Sequence, residues 1–387
     1  MLTAESFLSF KLESLDSPAS WNHPGHPVGL WVGRGSILQL PGQVTRLPAL
    51  VVSTRNGVDR SGLNEAFSGG RDWHVFNEIP PNPGPEIIEK AASFARQRGV
   101  QTIVGLGGGS ALDAARCVSL MRGHASTVAE LQEHIREGRP LERQVGLIQA
   151  PTTAGTGSEV TPWASVWGSN GQKSSVDHPS GFADSAYVDP RLTDSMPPRL
   201  TAAVGLDAMT HAMEALWGRH GDAVSDALAG RALGLLTTHL PAAVSAPTAR
   251  SRNGVSAGSL LAGMALSRTR SAIAHALSYP LTGSYRVEHG LAVGVMAIAV
   301  LRLPEIDAPT GRAPVVRACS CASAMEVAEV MAGIFDSIGE TPSLSGLGVP
   351  VSAVDDLIDA AIRSNRLGNM AGTWNQSRLA QLLALIA

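Results

Sequence analysis

The chain of 387 residues has few aromatic residues, few cysteines and no long apolar run. Aromatic residues make up 4% of it, beside 41 glycines, which disfavours a β-sandwich core and favours tight turns. The three cysteines, Cys117, Cys319 and Cys321, lack CxxC spacing, which argues against a disulfide framework or a thiolate zinc site. No segment approaches the roughly 20 apolar residues that cross a bilayer, so we expect no membrane partner.

Charge and the start of the chain exclude further classes. A formal net charge of −3 gives no reason to expect nucleic acid as a partner. The first residues, MLTAESFLSFKLESLDS, carry acidic groups and no long apolar stretch, unlike a signal peptide. Together with reduced cysteines, this favours a cytoplasmic protein. The length suggests two domains.

Strand-like and helix-like patterns alternate in the first half of the chain. Apolar runs of strand length occupy residues 47–53, 101–106 and 145–150, and residues 85–96 have helical spacing. This alternation predicts a largely parallel sheet covered on both faces by helices.

The pattern changes close to Asp189-Pro190. From Leu200 onward the apolar spacing is helical almost throughout. We therefore predict a Rossmann-like, dinucleotide-binding α/β domain over residues 1–190 and an all-helical catalytic domain over residues 191–387.

A glycine-rich segment, GLGGGSALDAAR, follows the second strand pattern. Gly107, Gly108 and Gly109 precede a helix that Ser110 can cap. Glycines let the backbone approach a ligand, and a helix N-terminus favours a pyrophosphate. The segment is not G-x-G-x-x-G, so a tight structural turn remains an alternative.

A second polar loop, PTTAGTGSEVT, follows the third strand pattern. Its hydroxyl groups, among them those of Thr152, Thr153, Thr156 and Ser158, can donate to phosphate or ribose. Alternatively, they cap the next segment. Two such loops at the carboxyl ends of neighbouring strands favour a dinucleotide site.

The helical half contains ionisable residues in apolar surroundings. Asp207 and His211, within GLDAMTHAMEA, are four residues apart and share one helix face. Either an Asp–His hydrogen bond or a shared cation explains them. His275 and His289 are each explained as structural histidines when taken singly. Together the four side chains suit Fe²⁺ or Zn²⁺.

These motifs together resemble those of the iron-containing (group III) alcohol dehydrogenases. The segments are GGGSALDAAR, PTTAGTGSEVT, DPRLTDSMPPRLTAAVGLDAMTHAMEA and HALSYPLTGSYRVEHG, and the likeness runs over roughly residues 30–370. The resemblance implies a dinucleotide-binding domain and a helical domain with the active site in the cleft between them. It also implies a homodimer.

The resemblance assigns roles to individual residues. The expected metal ligands, also expected to be catalytic, are Asp207, His211, His275 and His289. The expected pyrophosphate loop includes Gly107, Gly108, Ser110 and Asp113. The expected nucleotide loop includes Thr152, Thr153 and Ser158, and Lys173 matches a lysine near the ribose or nicotinamide.

Two departures from the family pattern affect the expected chemistry. Many members have a histidine four residues after the third ligand, where this chain has Tyr279, whose phenol can relay a proton or simply pack. NAD-preferring members often have Asp at the end of the first strand, where this chain has Thr54 and Arg55. A cation there favours NADPH, with NADH as the alternative.

The sequence before the third expected ligand suggests the substrate. Arg268 and Arg270 suit an anionic substrate, although a solvated surface pair is also consistent with them. The HALSYPLT run resembles the phosphonoacetaldehyde (2-hydroxyethylphosphonate) dehydrogenase branch. We therefore expect reduction of phosphonoacetaldehyde to 2-hydroxyethylphosphonate in phosphonate natural-product biosynthesis.

Other functions are consistent with parts of this pattern. A small aliphatic alcohol or lactaldehyde is the alternative substrate. A dehydroquinate-synthase-like cyclase, a lyase on a related fold, is the alternative class, and one carboxylate with three histidines suits it less well. An inactive binding protein is the third alternative, and the complete set of four ligands argues against it.

Overall fold

A computed structural model describes residues 15–21, 25–68, 72–169, 171–304 and 312–387. The segment MLTAESFLSFKLESLDS, which the sequence analysis interpreted as unlike a signal peptide, lies largely outside these described residues. The chain forms two compact units. The first unit comprises the described residues up to Thr153 together with Ser158–Asp194. The second unit comprises Ala154–Gly157 and Ser195–Ala387. The predicted functional domains, 1–190 and 191–387, stay a prediction, because these units are defined by packing alone.

The first unit is built on a seven-stranded sheet with the order β1-β2-β9-β6-β5-β3-β4. Only the edge pair β1–β2 is antiparallel in the described part of this sheet. A separate antiparallel hairpin is formed by β7 and β8. The strands are β1 Ala19–Trp21, β2 Gly29–Val32, β3 Ala49–Ser53, β4 Trp73–Phe76, β5 Thr102–Gly107, β6 Gly146–Pro151, β7 Trp163–Trp167, β8 Lys173–Asp177 and β9 Ser185–Val188.

Six described α-helices accompany these strands. They are α1 Leu40–Gln43, α2 Gly57–Ser61, α3 Asn64–Ser68, α4 Pro85–Gln97, α5 Gly109–Met121 and α6 Val128–Arg136. Strand β3 is buried along its whole length, as is typical of a central parallel strand. Val51, Val104 and Phe67 belong to one apolar cluster of this unit.

The second unit is helical, apart from one isolated bridge between Gly218 and Met370 in the part described. Its helices are α7 Pro198–Trp217, α8 Ala223–Ser245, α9 Ala249–Thr269, α10 Ile273–Gly283, α11 His289–Arg302, α12 Arg312–Ala318, α13 Ala324–Asp336, α14 Val354–Arg363 and α15 Gln376–Ala384. Helix α11 is buried from Gly290 to Leu301, so it forms part of the core. None of the described helices combines the length and apolarity that crossing a membrane requires.

The predicted fold class, a parallel α/β part followed by an all-helical part, is confirmed. The predicted strands at 47–53, 101–106 and 145–150 appear as β3, β5 and β6. One local prediction is wrong. Helix α5 begins after Gly108, which makes no side-chain cap, and the Ser110 hydroxyl instead accepts a hydrogen bond from the amide of Asn82.

Candidate functional site

Helix α7 carries Asp207 and His211 on one face, as their four-residue spacing requires. Both side chains are buried, at 5% and 7% exposure. The Oδ1 atom of Asp207 lies 3.4 Å from Nε2 of His211. A carboxylate and an imidazole are thereby held together inside an apolar helix core, where an unpaired charge is costly.

Two further helices bring His275 and His289 to the same point. His275 lies in the first turn of α10, and its Nε2 atom is 3.4 Å from Oδ1 of Asp207. His289 is the first residue of α11. One ligand atom from each of Asp207, His275 and His289 lies within 4.8 Å of the others. Three of the four side chains proposed from the sequence therefore meet at one point of the helical unit, and His211, which is not part of that group, lies beside Asp207 with its ring stacked on that of His275.

The geometry of this cluster fits a divalent cation. Asp207 Oδ1 and His275 Nε2 are buried and make no hydrogen bond. Buried polar atoms are rarely left without a partner, and a cation between them satisfies both. One carboxylate oxygen and three imidazole nitrogens are donors that Fe²⁺ and Zn²⁺ accept.

The electrostatics of the cluster favour positive charge. Burial alone would raise the pKa of Asp207, but the neighbouring His211, His275 and His289 hold it well below its usual range. Burial alone would lower the pKa of His275, but Glu214 and Asp207 raise it to about 10. The two carboxylates thus create a negative potential at the position where the imidazole nitrogens meet.

Glu214 is a buried residue of this site that the sequence analysis missed. Its carboxylate lies 2.7 Å from Nδ1 of His275, on the opposite side of the ring from Asp207. Burial would raise its pKa, but contacts with His275 and with backbone amides lower it. The signal in the sequence was its position seven residues after Asp207, which places both carboxylates on one helix face.

Tyr279 packs beside the cluster. Its ring is stacked on that of His289, with centroids 6.2 Å apart and an angle of 12° between the planes. It meets His275 edge-on at 6.4 Å. The phenol, half-buried, is therefore among the aromatic rings that surround the convergence point.

The predicted nucleotide residues lie at one edge of the sheet. Thr54 follows β3, Gly107 ends β5, and Thr152 follows β6, and these three strands are parallel neighbours. The amide of Thr152 donates to the carbonyl of Gly107 at 2.8 Å. A Cβ atom at Gly108 would lie 3.4 Å from the side chain of Thr153, so the two loops approach closely. Arg55 is exposed beside this edge.

Two of the predicted nucleotide residues hold the loops in shape. The hydroxyl of Ser158 donates to Asp113 at 2.5 Å, and Asp113 also accepts from the amide of Ser165. The fully buried Arg116 donates to Asp113, to Ser158 and to the carbonyl of Gly181. Asp113 and Ser158 thus connect α5 to the loop after β6.

The remaining predicted residues take separate positions. Lys173 begins β8, on the hairpin and not on the main sheet. Arg268 is exposed and pairs with Asp222, the residue that caps α8, at 2.5 Å. Arg270 is also exposed, and its backbone has a positive φ of 66°. Thr156 lies in the short segment that groups with the helical unit.

Known proteins resemble this chain along most of its length. Residues 27–190 match the iron-containing alcohol dehydrogenase family, and residues 201–386 match the C-terminal part of the Fe-containing alcohol dehydrogenase family. The long-chain-alcohol dehydrogenase 1 of Geobacillus thermodenitrificans is 36% identical over 354 residues, covering 87% of this chain and 89% of that protein.

Two sulfoacetaldehyde reductases are also similar. The enzyme of Bilophila wadsworthia is 29% identical over 376 residues, covering 92% of this chain and 95% of that protein. The crystal structure of the Bifidobacterium kashiwanohense enzyme in complex with NAD⁺ has a TM-score of 0.85 and 26% identity. It covers 95% of this chain and 98% of that chain.

This chain therefore belongs to the iron-containing alcohol dehydrogenase family, oxidoreductases that act on CH–OH groups. Membership favours a dehydrogenase over the cyclase that the sequence left open as an alternative class.

Proposed function

We propose that this chain is an alcohol dehydrogenase and aldehyde reductase that uses Fe²⁺, or alternatively Zn²⁺, with NADPH or NADH. The observation that carries the proposal is the convergence of Asp207 with His211, His275 and His289, with Asp207 Oδ1 at 3.4 Å from two imidazole nitrogens. The similar sulfoacetaldehyde reductase, solved with NAD⁺, supports a nicotinamide cofactor.

The four side chains would hold the cation, and the protein would orient the reactants and supply the electrostatic field around them. When bound, the cation supplies a Lewis acid for the substrate oxygen, and the nicotinamide carries the hydride. Tyr279, stacked on His289, has the one hydroxyl among the rings of this cluster and is proposed to donate a hydrogen bond to that oxygen. The buried neighbours exclude water, which strengthens these interactions.

The cofactor residues are proposed at the sheet edge. Gly107, Gly108 and Gly109 leave room for the pyrophosphate close to the N-terminus of α5, where backbone amides favour anions. Thr152 and Thr153 face this loop. Arg55 is exposed after β3, where it can pair with a 2′-phosphate, so NADPH is the favoured form.

For the substrate, we propose phosphonoacetaldehyde, reduced to 2-hydroxyethylphosphonate in phosphonate biosynthesis. The HALSYPLT run supports this substrate, and so do the similar sulfoacetaldehyde reductases. Sulfoacetaldehyde and phosphonoacetaldehyde are both two-carbon aldehydes with a tetrahedral anion. Arg270 is the residue proposed to bind that anion, because it lies three residues before α10, the helix that carries His275.

The test compares turnover of phosphonoacetaldehyde, sulfoacetaldehyde, acetaldehyde and lactaldehyde by the metal-loaded enzyme with each nicotinamide. We expect kcat/KM for phosphonoacetaldehyde to exceed that for acetaldehyde at least about tenfold, because one charged hydrogen bond contributes roughly 1.5–3 kcal/mol. Equal values of kcat/KM would reject phosphonoacetaldehyde as the preferred substrate and would not contradict the proposed dehydrogenase activity. A higher value for sulfoacetaldehyde would show that the preferred anionic group is a sulfonate.

We further propose a cytoplasmic homodimer in which residues 1–190 bind the cofactor and residues 191–387 carry the catalytic centre. Sedimentation of the purified chain tests the dimer, since a monomer at assay concentration would contradict it.

A further inference from the structure

Glu214 is fully buried and has no role in the function proposed above. Its carboxylate accepts from the amides of Ala272 at 2.6 Å, Ala274 at 2.8 Å and His275 at 3.3 Å. It also lies 2.7 Å from Nδ1 of His275. One carboxylate of α7 therefore contacts both the backbone and the ring of a residue on α10.

The three amides belong to the beginning of α10, where backbone donors have no partner within the helix. Ala272 is the residue before the helix, and its methyl side chain offers no acceptor. Glu214 satisfies these donors instead, and its negative charge is favourable at a helix N-terminus. The direction in which α10 starts, and with it the position of His275, is thereby tied to α7.

The segment that enters α10 is also held by Asn369. Nδ2 of Asn369 donates to the carbonyls of Thr269 at 2.8 Å, Arg270 at 3.0 Å and Ser271 at 3.0 Å. Arg270 has φ 66° and ψ 164°, a conformation that side-chain-bearing residues rarely adopt and that costs roughly 1–3 kcal/mol. Such a conformation persists only where its surroundings enforce it, so the geometry before His275 is imposed by its contacts.

We propose that Glu214 is the positioning residue that orients His275 toward the metal, by capping α10 and by accepting a hydrogen bond from Nδ1. With Nδ1–H directed at Glu214, the lone pair of Nε2 is available on the side of Asp207. The inference rests on the metal centre of the proposed function. Such partners of a metal-binding histidine typically change metal affinity 10–100-fold when they are replaced.

The test is the isosteric variant Glu214→Gln. Glutamine keeps only one acceptor oxygen, so its –NH2 group must face either the Ala272 amide and Nδ1 of His275 or the amides of Ala274 and His275. In both orientations the carboxylate charge that fixes the tautomer of His275 is lost. The matched control is Glu326→Gln, because Glu326 also accepts a backbone hydrogen bond at a helix start, from the amide of Ala322, and contacts no histidine of the cluster. Both variants are purified without metal and titrated with Co²⁺ in competition with a chelator.

We expect Glu214→Gln to bind Co²⁺ 10–100-fold more weakly and to change its visible absorption spectrum, with no change in Glu326→Gln. A purely structural carboxylate would lower the unfolding temperature without altering the spectrum. Wild-type affinity and spectrum in folded Glu214→Gln would overturn the proposal. Failure of the wild type itself to bind Co²⁺ would instead overturn the proposed function.

A second measurement does not depend on the variant. In the Zn²⁺-loaded wild type, nitrogen NMR of ¹⁵N-labelled histidine reports which ring nitrogen of His275 carries the proton. We expect the proton on Nδ1, facing Glu214. A proton on Nε2 of His275 would refute the positioning role even if Glu214→Gln failed to fold.

Discussion

Gly290 and Ala203 bring α11 and α7 into direct backbone contact. A Cβ atom added at Gly290 would lie 1.9 Å from the carbonyl oxygen of Ala203, a distance that no real structure tolerates. Gly290 follows His289, and Ala203 lies one turn before Asp207 on α7. The absence of a side chain at residue 290 thus allows His289 to approach the carboxylate of Asp207.

The first prediction is that Gly290→Ala separates α11 from α7. The clash involves backbone atoms, so the helices must move, and we expect destabilisation of at least about 1–3 kcal/mol. We also expect weaker metal binding, because His289 moves with its helix. Thermal unfolding of the metal-free chain and a Co²⁺ titration measure the two effects.

Gly333→Ala is the matched control for this prediction. Gly333 lies inside α13, and apart from the neighbouring backbone of its own helix nothing lies within 4 Å of a Cβ added there. Because alanine favours a helix interior by about 1 kcal/mol over glycine, this variant should be no less stable than the wild type. Equal stability and metal affinity in both variants would show that the close approach of α11 to α7 at Gly290 affects neither the stability of the fold nor metal binding.

The sequence predicted the parts of the site that depend on local spacing. Asp207 and His211 are four residues apart on a helix, which is sufficient to place them together. His275 and His289 could be grouped with them by donor chemistry and by the resemblance to a family, but spacing alone could not place them there, because their approach depends on how three helices pack. The alternation of apolar runs likewise predicted the parallel sheet, whose central strands are buried along their length.

Residues whose partners are distant in sequence were missed or misassigned. Glu214 meets donors about 60 residues away, and no pattern in α7 indicates them. Ser110 was expected to cap α5, but the helix starts at Gly109, so Ser110 lies inside its first turn and its hydroxyl accepts a hydrogen bond from the amide of Asn82. The close approach at Gly290 is a property of packing and has no signature in the neighbouring sequence.

The second prediction is that His275→Ala loses bound metal and turnover together. His275 lies between Asp207 and Glu214, so its removal takes away one donor and leaves two carboxylates in mutual repulsion. Metal content after dialysis and initial rates measure the effect, with His124→Ala as the control because His124 is on the sheet unit. Full activity in a demonstrably metal-free His275→Ala protein would rule out the proposed chemistry.

The third prediction separates the two arginines before α10. Arg270→Gly removes the guanidinium group without adding backbone strain, since glycine adopts positive φ freely. The same change should raise KM for phosphonoacetaldehyde about tenfold and leave KM for acetaldehyde unchanged, because one charged hydrogen bond of roughly 1.5 kcal/mol or more is lost.

Arg268→Ala provides the comparison. Its exposed pair with Asp222 contributes at most about 1 kcal/mol, so we expect a small loss of stability and an unchanged choice between the two aldehydes. If Arg268→Ala abolished the preference for the anionic aldehyde and Arg270→Gly did not, the assignment of the two arginines would have to be exchanged.

The fourth prediction concerns the choice of nicotinamide. Arg55 is exposed directly after β3, and the neighbouring Thr54 carries no charge that would repel a 2′-phosphate. Arg55→Ala should therefore raise KM for NADPH about tenfold or more and change KM for NADH little, because a phosphate loses a charged hydrogen-bond donor worth roughly 1.5–3 kcal/mol. Thr54→Asp should reduce use of NADPH further, because its carboxylate repels the 2′-phosphate.

The ratio of kcat/KM for the two cofactors is the measurement, and Arg60→Ala on α2 is the control. An equal effect of Arg55→Ala on both cofactors would mean that the arginine does not contact the 2′-position, and NADH would then be the favoured form.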